Sequence, residues 1–192
     1  EHESPYQLFA NTLAEMGIQS GKIAIDESTS FFMADGIKQA SPDITLVDSK
    51  PITGALRGCK SDAEIELLQI AKDMTLEVHK AAARILRPGI STQEVTQFIN
   101  EAHKKVGASA GSYFCIVLFG EDSSYPHGVK TPKTLEENDI VLIDTGCQIE
   151  GYNSDITRTY VYGEANERQR AMWQIEKVAQ QKAFEAAQIG VP

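Results

Sequence analysis

The sequence predicts an α/β protein, and three features carry that prediction. Short β-prone runs alternate with helical spacing over residues 1–56. Two boxes of the form Ser-x-x-Glu, Ser61 to Glu64 and Ser91 to Glu94, each open an amphipathic run. The unbroken apolar run Ile140 to Ile143, the mark of a strand buried on both faces, ends in a carboxylate, Asp144, and a second β-prone run follows from Ile156 to Tyr162.

Taken in order, Tyr6 to Met16 has helical spacing at Leu8 or Phe9, Leu13 and Met16, closed by Gly17. Lys22 to Ile25 reads as a strand, Ser30 to Ala40 as a helix and Asp43 to Val47 as a second strand. Asp26 and Glu27 fit a turn at a strand end, and His2 fits a mobile surface position. No catalytic constellation occurs in this stretch, which is expected to be the tail of a larger domain. Pro51 to Lys60, with Gly54 and Gly58, reads as the passage between domains. The expected organisation is a partial N-terminal α/β domain over 1–56 and a second domain over 57–192.

From Ser61, apolar residues at Ile65, Leu68, Ile70, Met74, Leu76 and Val78 carry a helix to about Leu86, stopped by Pro88 and Gly89. The next helix runs from Ser91 through Val95, Phe98, Ile99 and Val106 to Gly107. His79 and His103, on these helices, are expected to be partly exposed and structural rather than ligands. Tyr113 to Phe119 is a predicted strand, and Gly120 to Thr134 a long loop of the kind that often carries function. Within it His127 stands between Pro126 and Gly128, either as a surface residue or as a proton donor or substrate-orienting group. Asn166 caps a last helix through Met172, Ile175, Val178 and Phe184. Ala82 to Ile85 is faintly echoed by Ala186 to Ile189, as in a fold built from two related halves.

Composition narrows the function. The formal net charge of −9 disfavours nucleic acid and anionic membrane as partners. No stretch has the length of a transmembrane helix, and no secretory leader opens the chain. Cys59, Cys115 and Cys147 are odd in number and far apart; they fit a reducing cytoplasm better than a disulfide framework or a thiolate metal site. With Glu1 in place of a start methionine, and Pro192 following directly on a helical run, both ends read as cut.

The spacing of two aspartates suggests metal. Gly146, Gly151 and Asn153 supply turn residues between the two β-prone runs. A reversal near Ile149 and Glu150 would set Asp144 directly opposite Asp155 on one face, with Cβ atoms roughly 5 Å apart. Like charges so placed repel unless a cation lies between them, and paired carboxylates hold the two ions of hydrolytic sites roughly 4 Å apart. Two solvated strand-end aspartates would also fit the spacing. A carboxylate closing a buried strand, however, has to be neutralised or paired. Arg158 could do so, but alternation points it to the face opposite Asp155. Thr157 and Thr159 share the face of Asp155, where hydroxyls would orient the ligands.

These motifs together resemble the pita-bread metallopeptidases, the group of aminopeptidase P, proline dipeptidase and methionine aminopeptidase, with creatinase as a relative. The resemblance runs in order through Lys60 to Leu68, Arg87 to Ser91, Pro126-His127-Gly128, Asp144-Thr145-Gly146 and Gly151 to Thr159. The stretch before Lys60 resembles the end of a creatinase-type N-terminal domain, which favours the proline-peptidase and creatinase branches. The fold implied is α/β, the first half of a pita-bread fold preceded by the end of that domain. The resemblance implies two divalent ions, manganese foremost with cobalt or zinc as alternatives. It makes Asp144 and Asp155 ligands, Thr157 a residue orienting them, and His127 a group that binds substrate and handles protons.

The remaining ligands of such proteins, one His and two Glu, would lie further along than this chain runs. The 192 residues alone are therefore expected to be inactive. The activity implied for the complete protein is metal-dependent hydrolysis of Xaa-Pro bonds in a cytoplasmic homodimer acting on proline-containing peptides. A creatinase-like amidine hydrolase, which needs no metal, is the alternative enzyme. A non-catalytic pita-bread protein that binds partners is the alternative of another class.

Overall fold

The computed structural model describes residues 4–191, so the readings of Glu1, His2 and Pro192 lie outside it. The chain divides into two compact units, Glu1–Ser61 and Asp62–Pro192.

The first unit runs α1 (Pro5–Glu15), β1 (Gly21–Ile25), α2 (Phe31–Ala40), β2 (Ile44–Asp48) and α3 (Lys50–Gly58). β1 and β2 pair in parallel, with Ile23 opposite Leu46, so α2 is the crossover that a parallel pair requires. Gly36 of α2 lies under the ring of Tyr6; a Cβ there would sit 2.6 Å from ring carbons. Asp26 accepts the Ser28 N–H at 2.9 Å, which makes the predicted turn after β1. Most of the Pro51–Lys60 stretch, read as a passage, is instead helical, as α3. Pro51 falls in the first turn of α3, where its missing N–H costs nothing.

The second unit begins with α4 (Asp62–Ile85) and α5 (Thr92–Lys105) and continues with β3 (Ser112–Phe119), followed by a 3-10 turn at Gly120–Ser124. β4 (Ile140–Ile149), β5 (Tyr152–Asn153), β6 (Ile156–Val161) and α6 (Glu167–Ala186) complete it. The predicted capping box at α5 forms: the Glu94 N–H donates to Ser91 Oγ at 3.1 Å, and the Ser91 N–H donates to Glu94 at 2.9 Å. β4 is the middle strand, antiparallel to β3 on one side and to β5 and β6 on the other.

Val141 and Ile143 of β4 pack with Val117 and Phe119 of β3 against Val78, Ala82, Val95 and Ile99 of the helices. The expectation of a strand buried on both faces needs correction. Ile140 and Leu142 are only half-buried, because α4 and α5 cover one face alone. A continuous apolar run does not by itself distinguish one covered face from two.

His103 and His79 also depart from expectation. His103 is fully buried and His79 nearly so, at 7% exposure. His103 is buried because hydroxyls meet both ring nitrogens: Thr75 Oγ1 lies 3.1 Å from Nε2 and Ser112 Oγ 2.9 Å from Nδ1. Burial pushes the His103 imidazole down to about 4, with a smaller contribution from the charge of His79. α6 begins at the expected cap, with Gln169 N–H donating to Asn166 Oδ1 at 2.9 Å. None of its residues is buried, so Met172, Ile175, Val178 and Phe184 present an open apolar surface.

The hairpin turns at Glu150 and Gly151, both left-handed with φ of 49° and 84°. Two such residues make the tight connection whose twist matches that of the strands. The reversal is therefore centred beyond the predicted Ile149 and Glu150, and the register moves with it. Asp144 faces Thr157, not Asp155. Asp155 lies in the break between β5 and β6, where the chain passes over Gly146. A Cβ on Gly146 would stand 1.9 Å from the Ser154 carbonyl oxygen, so only glycine fits there.

Two outcomes follow from this packing. His103 titrates at its ordinary value when unfolded and near 4 when folded, so between about 6.5 and 4 the unfolded chain binds the extra proton. Stability should fall by about 2–4 kcal/mol as pH drops through that window. Urea midpoints at pH 7 and pH 4.5 test this, and His103→Gln should flatten the difference. Gly146→Ala should lower the urea midpoint at pH 7 by an amount corresponding to at least about 1–3 kcal/mol, because the clash is with backbone.

Candidate metal centre

The face of β4 turned away from the helices carries Leu142, Asp144 and Gly146. Asp144 is half-buried, and Thr157 Oγ1, on the same face of β6, donates to its Oδ1 at 2.7 Å. That hydrogen bond holds one carboxylate oxygen and leaves the other free. Asp155 stands two residues before Thr157, just outside the β6 ladder, which begins at Ile156. The directly opposed geometry expected from the spacing does not form, since Thr157 is the residue opposite Asp144.

Arg158 pairs with Ile143, on the helix side of the ladder, and its Nη1 donates to the Thr157 carbonyl at 2.8 Å rather than to either aspartate. The negative charge of the pair is therefore not offset by the arginine that the sequence offered. Asp155 is exposed.

His127 occupies a tight turn closed by the Gly128 N–H on the Tyr125 carbonyl at 2.9 Å. Its imidazole is exposed. Gly128 packs against the aspartate face: a Cβ on it would lie 3.7 Å from Ile116 Cγ2 and 3.9 Å from Leu118 Cδ2. Ile116 is the β3 partner of Asp144, so the turn lies over the strand beside that carboxylate. Only part of the predicted loop is irregular, since its first five residues form the 3-10 turn.

The donors suit a hard cation. Two carboxylates and a hydroxyl offer only oxygen, the preference of manganese- or magnesium-like ions. Among the described residues, no group of three or more His, Cys, Asp or Glu side chains converges to hold a metal. Asp144 and Asp155 do not by themselves make such a group. A concavity of about 1410 Å³ runs between β6 and α6, lined by Thr157, Thr159, Met172 and Trp173. It reaches Thr157 but takes in neither carboxylate.

Thr75, which the sequence reading passed over, and His79, read there only as a structural histidine, lie directly behind this face. The Thr75 hydroxyl is 2.7 Å from Ser154 Oγ, and His79 Nε2 is 2.9 Å from the Ile156 carbonyl. The sequence signal was the four-residue spacing of Thr75 and His79 on an otherwise apolar helix face. Burial lowers the His79 pKa, opposed by the Ile156 carbonyl.

Comparison with known proteins identifies the family. The sequence profile of metallopeptidase family M24 matches residues 66–192. The chain is 37% identical to YkvY of Bacillus subtilis over 195 residues, covering all of this chain and 53% of that protein. It is 33% identical to the Xaa-Pro dipeptidase of Pyrococcus furiosus, covering 88% of this chain and 49% of that one. The X-Pro aminopeptidase of Thermotoga maritima superposes with a TM-score of 0.88 at 26% identity, over 100% of this chain and 54% of that one. The chain thus spans about half the length of the relatives it matches. No helix of the described residues is long and apolar enough to cross a membrane. On its matched profile and its α/β architecture, the chain belongs to metallopeptidase family M24, the pita-bread peptidases.

Proposed function

We propose that the complete protein bearing this chain is a metal-dependent exopeptidase that hydrolyses Xaa-Pro bonds. The observation that carries this reading is Asp144, half-buried on the face of β4 away from the helices, accepting from Thr157 Oγ1 at 2.7 Å, with Asp155 two residues before Thr157. An M24 profile match over 66–192 supports it. So do relatives named as an Xaa-Pro dipeptidase and an X-Pro aminopeptidase.

In this reading Asp144 and Asp155 hold two divalent cations, manganese foremost, as part of a larger ligand set. When bound, such ions polarise the scissile carbonyl and activate water. Thr157 keeps Asp144 in one orientation. His127, on its exposed turn beside the aspartate face, binds substrate and moves a proton at its imidazole. The residues before Asp62 are read as part of a creatinase-type N-terminal domain, and the complete protein as a homodimer. A cytoplasmic location fits the three free cysteines, Cys59, Cys115 and Cys147.

The test is hydrolysis of Xaa-Pro dipeptides and longer Xaa-Pro peptides by the full-length protein with added manganese. Asp155→Asn should lower kcat/KM by more than the roughly 10–100-fold that loss of an outer partner causes. His127→Ala should lower kcat while manganese affinity stays at the parent value. Full activity in Asp155→Asn, or activity that survives strong chelation, would remove the metallopeptidase reading; survival with amidine substrates would favour the creatinase branch.

A further inference from the structure

Asp155 is the less supported of the two carboxylates. It lies between β5, whose ladder ends at Asn153, and β6, whose ladder starts at Ile156. The residues on either side of it are tied across the sheet to α4. On one side, Ser154 Oγ accepts the Cys147 N–H at 2.8 Å and lies 2.7 Å from Thr75 Oγ1. On the other, the Ile156 carbonyl is 2.9 Å from His79 Nε2. A carbonyl only accepts, so His79 carries its proton on Nε2 and donates there.

Thr75 and His79 are one helical turn apart and so share a face of α4. Both are buried, at 0% and 7% exposure. A helix that only covered the sheet would carry apolar side chains at these positions, as α4 does at Ala71, Val78 and Ala82. Buried polar groups are costly unless satisfied; the Thr75 hydroxyl and His79 Nε2 are met by the two residues that flank Asp155, while His79 Nδ1 has no partner among the described residues. His103 and Ser112 extend the chain of contacts behind Thr75 into α5 and β3, at 3.1 Å and 2.9 Å. The supports therefore reach the backbone on both sides of Asp155 from the α4 side.

We propose that Thr75 and His79 are positioning residues for Asp155, fixing the backbone on both sides of it so that its carboxylate is aimed at a bound divalent cation. This rests on the metal-binding reading of Asp155.

The test is a titration of the metal-free full-length protein with cobalt(II), read by calorimetry and by the visible absorption of the bound ion. Thr75→Val and His79→Leu should each weaken cobalt binding by roughly 10–100-fold and alter the visible band. Thr75→Ser, which restores the hydroxyl, should return both to the parent values. Variants with a lower urea midpoint but unchanged cobalt affinity and band would make these residues core supports only and overturn the proposal. Loss of fold in both Thr75→Val and His79→Leu would overturn it in the same way. Parent protein that binds no cobalt would overturn the metal reading itself, and this inference with it.

Discussion

The antiparallel ladder around β4 is the constraint on which the second unit depends. β3 holds one edge from Phe119 opposite Val141 to Ser112 opposite Cys147, and β6 holds the other from Ile140 to Thr145. With both edges paired, the alternation of side chains along β4 is committed. Val141 and Ile143 enter the core with α4 and α5, and Leu142, Asp144 and Gly146 are turned away from it. A single strand thus carries the centre of the core on one face and a candidate ligand on the other. Slipping it by one residue would bury Asp144 among Val78, Val95 and Ile99, at a cost that no partner there could offset.

Within that core, the polar contacts are confined to one end. Thr75, His103, Ser112, Ser154 and Cys147 form a connected cluster behind the hairpin, while Val78, Ala82, Ile99, Val117 and Phe119 fill the rest. The cluster replaces ladder hydrogen bonds where the chain leaves regular pairing between Asn153 and Ile156. Gly146 makes that departure sterically possible, since the Ser154 carbonyl occupies the space a side chain would need. The irregularity, the glycine and the buried polar cluster are parts of one local structure.

Much of this was legible because local chemistry is written in short patterns. The box at Ser91 and Glu94 caps α5 because those two side chains satisfy free N–H groups three residues apart. Asn166 caps α6 on the same principle. Alternation within β6 sets Thr157 and Arg158 on opposite faces, and that assignment needs only the period of a strand. α3 was missed because Gly54 and Gly58 read as loop punctuation, whereas the first-turn proline and its neighbours sustain a helix.

What required the tertiary structure was everything set by contact between segments distant in sequence. The turn at Glu150 and Gly151 moved the register two residues from the one expected, so Thr157, not Asp155, faces Asp144. His79 and His103 are buried rather than partly exposed, because their partners lie 77 and 28 residues away, at Ile156 and Thr75. The sequence by itself determined which residues carry carboxylates, caps and turns, and on which face of a strand they fall. Only the folded chain decided which of them meet, because register and burial come from the packing of the helices on the sheet and not from any local period.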